Sequence, residues 1–302
     1  MVLPNFFIIG AAKSGTTALY RYLRQHPEIF MPDRKEPHHF SFDERTKLTN
    51  GPGDYVRTAI TDNAQYIRLF ANVKDEIAIG EASPTYIYIP DTSERIHAVI
   101  PNAKIISILR HPAERAFSAY MHLIRDGYET ILDFDEALKK EPERIENRWG
   151  PIWHYTKSGF YYEQLERYYS VFNNNLIHVI IYDDFKKDPF KVVNEIFNFL
   201  EVDDRFRPDM KAKPNVSGIP KNMTWQKIIQ YFFERDNIIR SISRKIFRDE
   251  FRWRFTSNIR KMNLSQPMLP LPTKIRLIEL FREDILKLQD LINYDLSIWL
   301  KI

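Results

Sequence analysis

The chain has 302 residues, 44% hydrophobic and 28% charged, with 44 Lys and Arg against 40 Asp and Glu and a formal net charge of +4. These proportions describe a globular protein able to bury a core; they exclude wholesale disorder, a fibrous repeat and a charge excess that would by itself imply nucleic acid. A count of 0 cysteines excludes a disulfide framework, a thiolate metal site and a cysteine nucleophile, and no run approaches the roughly 20 apolar residues of a membrane-spanning helix, so the expectation is a soluble, cytoplasmic protein without an integral membrane segment.

Phe6 to Ile9 is an apolar run that predicts a short buried strand; Gly10 to Gly15 is a small-residue turn, and the spacing from Thr16 onward predicts a helix. A strand that breaks on glycine and restarts as a helix aims the first free N–H groups of that helix at one point, which binds anions. Prolines at 27, 32 and 37 make His26 to Phe42 a loop over the sheet's edge. Residues 54–72 read as helix, Glu76 to Gly80 as a second strand running into Glu81, and Thr92 to Ile100 as a helix stopped by Pro101. Lys104 to Leu109 is the third strand, ending on Arg110, and His111-Pro112 opens a helix from about Ala113 to Ile124. Helices follow at 133–140 and from Gly159 to Phe172, then a fourth strand from Leu176 to Tyr182. Asp184 to Leu200 reads as one helix with Phe190, Val193, Phe197 and Leu200 on a stripe, and a long helix runs from Pro272 to near Asn293.

Strands alternating with helices imply right-handed crossovers, hence an α/β domain over residues 1–302 with a central parallel sheet and helices on both faces. Ligands on such sheets bind at the carboxyl ends of the strands, which places the Gly10 to Thr17 loop, Glu81, Arg110 and Asp183 along one edge. Residues 222–268 differ in character: from Arg235 to Lys261 there are nine basic and three acidic residues, interleaved with Phe247, Phe251, Trp253 and Phe255. Such a stretch reads either as a solvated amphipathic helical insertion or as an acceptor-binding lid or surface for an anionic partner.

Against the nucleotide loop G-x-x-x-x-G-K-[ST], Gly10 and Gly15 are correctly spaced, but Thr16 stands where the lysine belongs and Lys13 lies three residues earlier. Tight packing alone would explain a glycine turn; a lysine, a serine and two threonines beside the two glycines favour a phosphate cradle. Magnesium NTPases need an acidic strand end, whereas the third strand ends on Arg110. Arg110 is then either a second anion contact, joined by Ser118 about two helical turns on, or a salt-bridge partner of Glu114 or Glu81. Two separated anion sites describe a nucleotide phosphorylated at two positions.

The segments KSGTT at 13–17, KEPH at 35–38, LRHPAERAFSAY at 109–120, SGFYYEQLERY at 158–168, YDDF at 182–185 and the C-terminal FREDILKLQDL with DLSIW resemble the sulfotransferases that use 3′-phosphoadenosine 5′-phosphosulfate (PAPS). The resemblance covers most of the chain outside 222–268 and is nearest the polysaccharide (heparan sulfate type) and bacterial branch. It implies a P-loop-like α/β fold and direct sulfuryl transfer from PAPS, leaving 3′-phosphoadenosine 5′-phosphate (PAP), to a hydroxyl or an amine of a small-molecule or glycan acceptor. It also implies neither a metal nor a nucleic-acid partner, and sets no oligomeric state.

Residue by residue, the resemblance implies that Lys13, Ser14, Gly15, Thr16 and Thr17 hold the 5′ phosphosulfate, with Lys13 neutralising the leaving oxygen. Arg110 and Ser118 would contact the 3′ phosphate, Tyr161 would lie near the purine, and Lys221 would sit in a loop from Lys213 that closes over the 3′ phosphate. The base of the polysaccharide branch, the glutamate of K-E-x-H-F-F, falls on Glu36. Here His39 replaces a phenylalanine, and since histidine titrates near neutrality, His38 or His39 stands beside Glu36 as a base. The plainer alternatives are a loop carboxylate paired with Lys35 and two structural histidines. Trp149, Trp153 and Tyr155 are expected to offer aromatic faces to an acceptor. Two rivals remain: a P-loop nucleotide kinase or NTPase, and an anionic-surface binding module built on residues 235–261.

Overall fold

The computed structural model describes residues 2–42, 51–53, 58–210, 219–220, 264–265 and 267–302. The expected apolar runs form the strands β1 (Phe6–Gly10), β2 (Ile29–Phe30), β3 (Ala78–Ala82), β4 (Lys104–Leu109) and β5 (Ile177–Ile181). They lie in one parallel sheet in the order β2-β3-β1-β4-β5. The helices are α1 (Thr16–Leu23), α2 (Asn63–Arg68), α3 (Thr92–Val99), α4 (Pro112–Arg125), α5 (Phe134–Lys139), α6 (Glu141–Glu146), α7 (Tyr161–Tyr169), α8 (Tyr182–Lys187), α9 (Pro189–Leu200) and α10 (Leu271–Ile292).

Strand side chains alternate between faces, so each strand feeds two cores. Phe6, Ile8, Ile106 and Ile108 pack with Leu19 and Leu23 of α1 and with Val192, Val193, Ile196 and Phe197 of α9. Phe7, Ile9, Ile105 and Leu109 face the larger core, closed by Ile96 of α3, Ala116 and Leu123 of α4, Leu165 and Tyr168 of α7, and Phe281 and Ile285 of α10. Each such side chain removed from water contributes about 1.5–3 kcal/mol, which the two covered faces supply along every strand.

From β1 the chain passes through α1 to β2 on one side of the sheet; from β4 it passes through α4 to α7 to β5 on the other. The topological switch point therefore falls between adjacent β1 and β4, where an open α/β sheet forms its ligand crevice. The loop after β1 and Arg110 after β4 flank it.

Several expected boundaries move, for identifiable reasons. The second sheet strand of the sequence is displaced: β3 covers 78–82, leaving Ile77 56% exposed and putting Glu81 inside the strand. The helix expected over 54–72 is reduced, among the described residues, to 63–68; Asp62 caps it by accepting the Gln65 N–H, while the Ile60 N–H is taken by the Pro37 carbonyl. Asp184 to Leu200 is two helices, because Pro189 disfavours helical backbone at Asp188 (φ −140, ψ 83), whose carboxylate caps α9 by accepting the Lys191 N–H. Phe190, at the start of α9, is 45% exposed and leaves the expected stripe. Within the expected loop 26–42, Ile29 and Phe30 pair with β3 and form the edge strand. Most of the basic insertion at 222–268 lies outside the described residues.

Candidate active site

The loop between β1 and α1 is built by two exceptions to ordinary backbone. Gly15 adopts φ 100, and a Cβ there would meet the Tyr182 ring at 3.1 Å, so glycine is required by conformation and by space. Lys13 adopts φ 72, a left-handed conformation uncommon for a side-chain-bearing residue and concentrated at functional sites. No side chain caps α1, so its first amides are left toward the crevice, while Thr16 is buried and Thr17 half-buried. The Ser14 hydroxyl is buried against the Tyr161 hydroxyl without a well-formed hydrogen bond.

Lys13 sits among charges from separate elements. Desolvation first, then Arg125, draw its ammonium down to about 7; Asp126 and Glu36 oppose the shift and Arg110 adds to it. A strong shift of this kind at the edge of a crevice marks Lys13 as a candidate functional residue.

Glu36 and His38 also have left-handed backbone, φ 63 and φ 54. The Glu36 N–H donates to the Ala82 carbonyl at 3.0 Å, hanging the segment on the end of β3. Burial raises the Glu36 carboxyl, but Lys35, His38 and Lys13 outweigh it and hold the group below the ordinary carboxylate range. Lys35 Nζ contacts Glu36 Oε1, and His38 Nε2 lies 3.9 Å from Oε2. His38 is 1% exposed, its Nδ1 is 2.8 Å from Thr85 Oγ1, and burial pushes its ring down to about 4. His39 points elsewhere: its Nδ1–H donates to the Ile60 carbonyl, and its ring stacks on Tyr66 at 4.0 Å. The structure thus brings Glu36 and Lys13 into one field, sets His38 behind Glu36 and turns His39 into the wall.

At the end of β4, Arg110 donates from Nε and Nη2 to Glu114 Oε2 at 3.3 and 3.0 Å, and its guanidinium lies over the Tyr182 ring at 5.1 Å. The salt-bridge alternative is therefore realised with Glu114. The Arg110 carbonyl accepts from the buried Tyr161 hydroxyl at 2.9 Å, so Tyr161 spans the gap between the β4 end and Ser14. Asp284 of α10 accepts the Tyr161 N–H at 2.8 Å and fixes the start of α7. Ser118 is 1% exposed within α4, and the backbone of Ile219–Pro220 runs beside that helix. Lys221 lies outside the described residues. Asp183 accepts from Trp299 Nε1 at 3.3 Å, anchoring the C-terminal segment.

Two expectations need amendment. Trp153 and Tyr155, proposed acceptor faces, are 1% and 0% exposed; they enclose the Arg144 guanidinium, which is paired with buried Glu129. Conversely, His122, Arg125 and Asp126 are not singled out from the sequence. Arg125 Nη2 lies 2.6 Å from His122 Nδ1, and Arg125 Nε donates to Asp126 Oδ1 at 2.7 Å, beside Lys13. Their i, i+3, i+4 spacing at the end of α4 was the available signal.

A model of the sulfotransferase family matches residues 4–206. The crystal structure of a sulfotransferase from Alicyclobacillus acidocaldarius superposes with a TM-score of 0.77 at 36% identity, covering 100% of each chain. The membrane-associated sulfotransferase kil1 of Dictyostelium discoideum is 25% identical over 314 residues, 78% of this chain and 64% of that protein. The bifunctional heparan sulfate N-deacetylase/N-sulfotransferase 1 of Mus musculus is 30% identical over 207 residues, 66% of this chain but 22% of that protein. Among the described residues no helix is long and apolar enough to cross a membrane. A parallel sheet with its crevice between β1 and β4, matched over its whole length by a solved sulfotransferase, leaves one assignment: the chain is an enzyme of the sulfotransferase family.

Proposed function

We propose that the chain transfers a sulfuryl group from PAPS to a hydroxyl, or to an amine, of a glycan or small-molecule acceptor, with Lys13 and Glu36 as its reacting groups. The observation that carries this reading is that these two residues, brought from different strands to one sheet edge, share an electrostatic field and both stand on left-handed backbone. A bound phosphosulfate fits the loop, since it would complete the Ser14 hydroxyl, the uncapped start of α1 and the depressed Lys13 ammonium together.

The donor supplies the sulfuryl group and a phosphate that keeps the electron pair of the broken S–O bond. Lys13 and the amides of Gly15, Thr16 and Thr17 offset the charge that gathers on that phosphate. Glu36, ionised at neutral pH, takes the acceptor's proton as the acceptor oxygen or nitrogen bonds to sulfur. His38, drawn down to about 4 by burial, is neutral and a weak proton acceptor at that pH, which favours Glu36. Arg110, Ser118 and Lys221 would hold the second phosphate, Arg110 exchanging part of its contact with Glu114, and Tyr161 would brace the two anion sites. The basic end of β4 supports a transfer without metal. The lack of cysteine accords with a reducing, cytoplasmic compartment, and the match to a solved sulfotransferase over the whole chain supports a single sulfotransferase domain over residues 1–302. Heparan-modifying relatives support a glycan acceptor, and the cluster at His122, Arg125 and Asp126 lies beside Lys13 where it can orient one.

Calorimetry with PAP and, separately, with ATP and magnesium tests the donor: binding of PAP is expected, and binding of ATP with magnesium alone refutes the reading in favour of a kinase or NTPase. Glu36→Gln should keep PAP affinity within about twofold and lose roughly 100- to 1,000-fold in turnover, the size of a general-base contribution. Unchanged turnover would remove Glu36 from the mechanism. A panel of desulfated heparan oligosaccharides, 4-nitrophenol and amino sugars, read by mass for the gain of one sulfuryl group, identifies the acceptor class.

A further inference from the structure

Glu81 has no part in the chemistry described above, yet it is a carboxylate with 0% exposure a few residues from the crevice. Its partners are three hydroxyls. Ser83 Oγ–H donates to Oε1 at 2.6 Å, while Tyr86 O–H and Tyr66 O–H donate to Oε2 at 2.7 and 3.0 Å. Two of those hydroxyls also accept main-chain amides of the base-bearing loop: the His38 N–H donates to Ser83 Oγ at 3.0 Å and the Phe40 N–H to the Tyr86 hydroxyl at 3.2 Å. The third, Tyr66, carries the His39 ring stacked on its face. Every relay therefore runs from the loop, through a hydroxyl, to one carboxylate.

The direction of these bonds is dictated by Glu81. A hydroxyl that accepts an amide N–H offers its proton outward, and the carboxylate has acceptor capacity to receive all three. Burying this charge is costly, and burial raises the Glu81 carboxyl to about 7. An apolar residue would fill the same space without that cost. What the carboxylate adds is definition of the segment in which Glu36 and His38 hold left-handed backbone that such residues do not adopt unsupported.

We propose that Glu81 is a positioning residue: acting through Ser83 and Tyr86, it fixes the backbone from Glu36 to Phe40 and so keeps the Glu36 carboxylate beside Lys13. The inference rests on the reading of Glu36 as the base. Glu81→Gln is nearly isosteric but turns an NH2 donor toward the hydroxyl protons, leaving the Ser83 proton, or those of both Tyr66 and Tyr86, without an acceptor. Ser83→Ala is the milder variant and cuts only the His38 relay.

The test measures PAP release from PAPS with water as the acceptor, PAP affinity by calorimetry, and both variants in the wild-type and Glu36→Gln backgrounds. A positioning role predicts that Glu81→Gln and Ser83→Ala each lower kcat about tenfold or more while PAP affinity stays within about twofold. It also predicts that neither lowers turnover further once Glu36 is Gln, because the effect travels through that side chain. A structural contribution alone would multiply with Glu36→Gln. Wild-type kcat in both variants, or losses that multiply, overturns the inference while leaving Glu36 as the base. Undiminished turnover in Glu36→Gln overturns the base assignment and this inference with it.

Discussion

Lys13 makes a prediction that is quantitative because its charge depends on the ligand. Desolvation and the nearby Arg125 draw its ammonium to about 7 against the partial opposition of Asp126 and Glu36. At pH 8 such a group is protonated in only about one molecule in eleven, whereas a bound anion that restores it to the ordinary lysine range of about 10.4 protonates nearly all of it. PAP binding at pH 8 should therefore take up about 0.9 proton. The sign follows from linkage: the ligand prefers the charged form, so affinity is full below pH 7 and weakens as pH rises, by about ninefold between pH 8 and pH 9. Calorimetry at pH 8 in buffers of different ionisation enthalpy gives the proton count as a slope, and Lys13→Gln should abolish it. A slope near zero in the wild type, or one that persists in Lys13→Gln, would refute the placement of the anion on this lysine.

Gly15→Ala should cost about 1–3 kcal/mol through the positive φ alone, with further loss from the Tyr182 ring at 3.1 Å; urea denaturation would show it, and PAP affinity should fall in parallel because the start of α1 shifts. Glu129→Ala should be among the most destabilising single changes, about 3–5 kcal/mol. It strands the buried Arg144 guanidinium and removes the acceptor of the Tyr155 hydroxyl and of the Thr130 and Ile131 amides. Thermal unfolding measures that loss, and a change under about 1 kcal/mol would contradict the buried ion pair.

The parts of the fold visible in the sequence were those whose signal is local. The apolar runs of β1, β4 and β5 and the glycine turn before α1 need no tertiary information, and Arg110 follows from where β4 ends. The position of β3 differs from the expected 76–80 for a physical reason. On the face it shares with Phe6 and Met31 its residues are Ala78, Gly80 and Ala82, kept small because the Phe6 ring and the Met31 sulfur occupy the space: a Cβ on Gly80 would lie 2.1 Å from Phe6. The apolar bulk belongs to the neighbours, and Ile77, which looked like strand, faces water. Trp153 and Tyr155 read from the sequence as acceptor faces because rings in a loop look available. Their burial follows from the pairing of Arg144 with Glu129, two residues fifteen positions apart whose contact no spacing rule announces. Glu81 reads from the sequence as a residue of the ligand edge or a partner of Arg110; its partners are instead Tyr66, Ser83 and Tyr86, which only the fold brings together.

The displaced lysine is where these observations meet. At the position of Thr16 a lysine would rise from the first turn of α1; in the turn at 13 it lies instead within the fields of Glu36 from the loop over β3 and of Arg125 and Asp126 from the end of α4. A leaving phosphate needs a cation, and an attacking acceptor needs a base within reach of the same transferred group. On the proposed reading, the cradle after β1 holds the first, and the segment hung from the end of β3 presents the second. Because β1 and β3 are adjacent and parallel, their carboxyl ends lie at the same edge of the sheet. Lys13, Glu36 and His38, all at that edge, hold left-handed backbone of the kind that concentrates at functional sites. The Glu81 relay through Ser83 reaches the His38 amide, so on the inference above the interior of β3 takes part in placing Glu36 although none of its side chains has a reacting role.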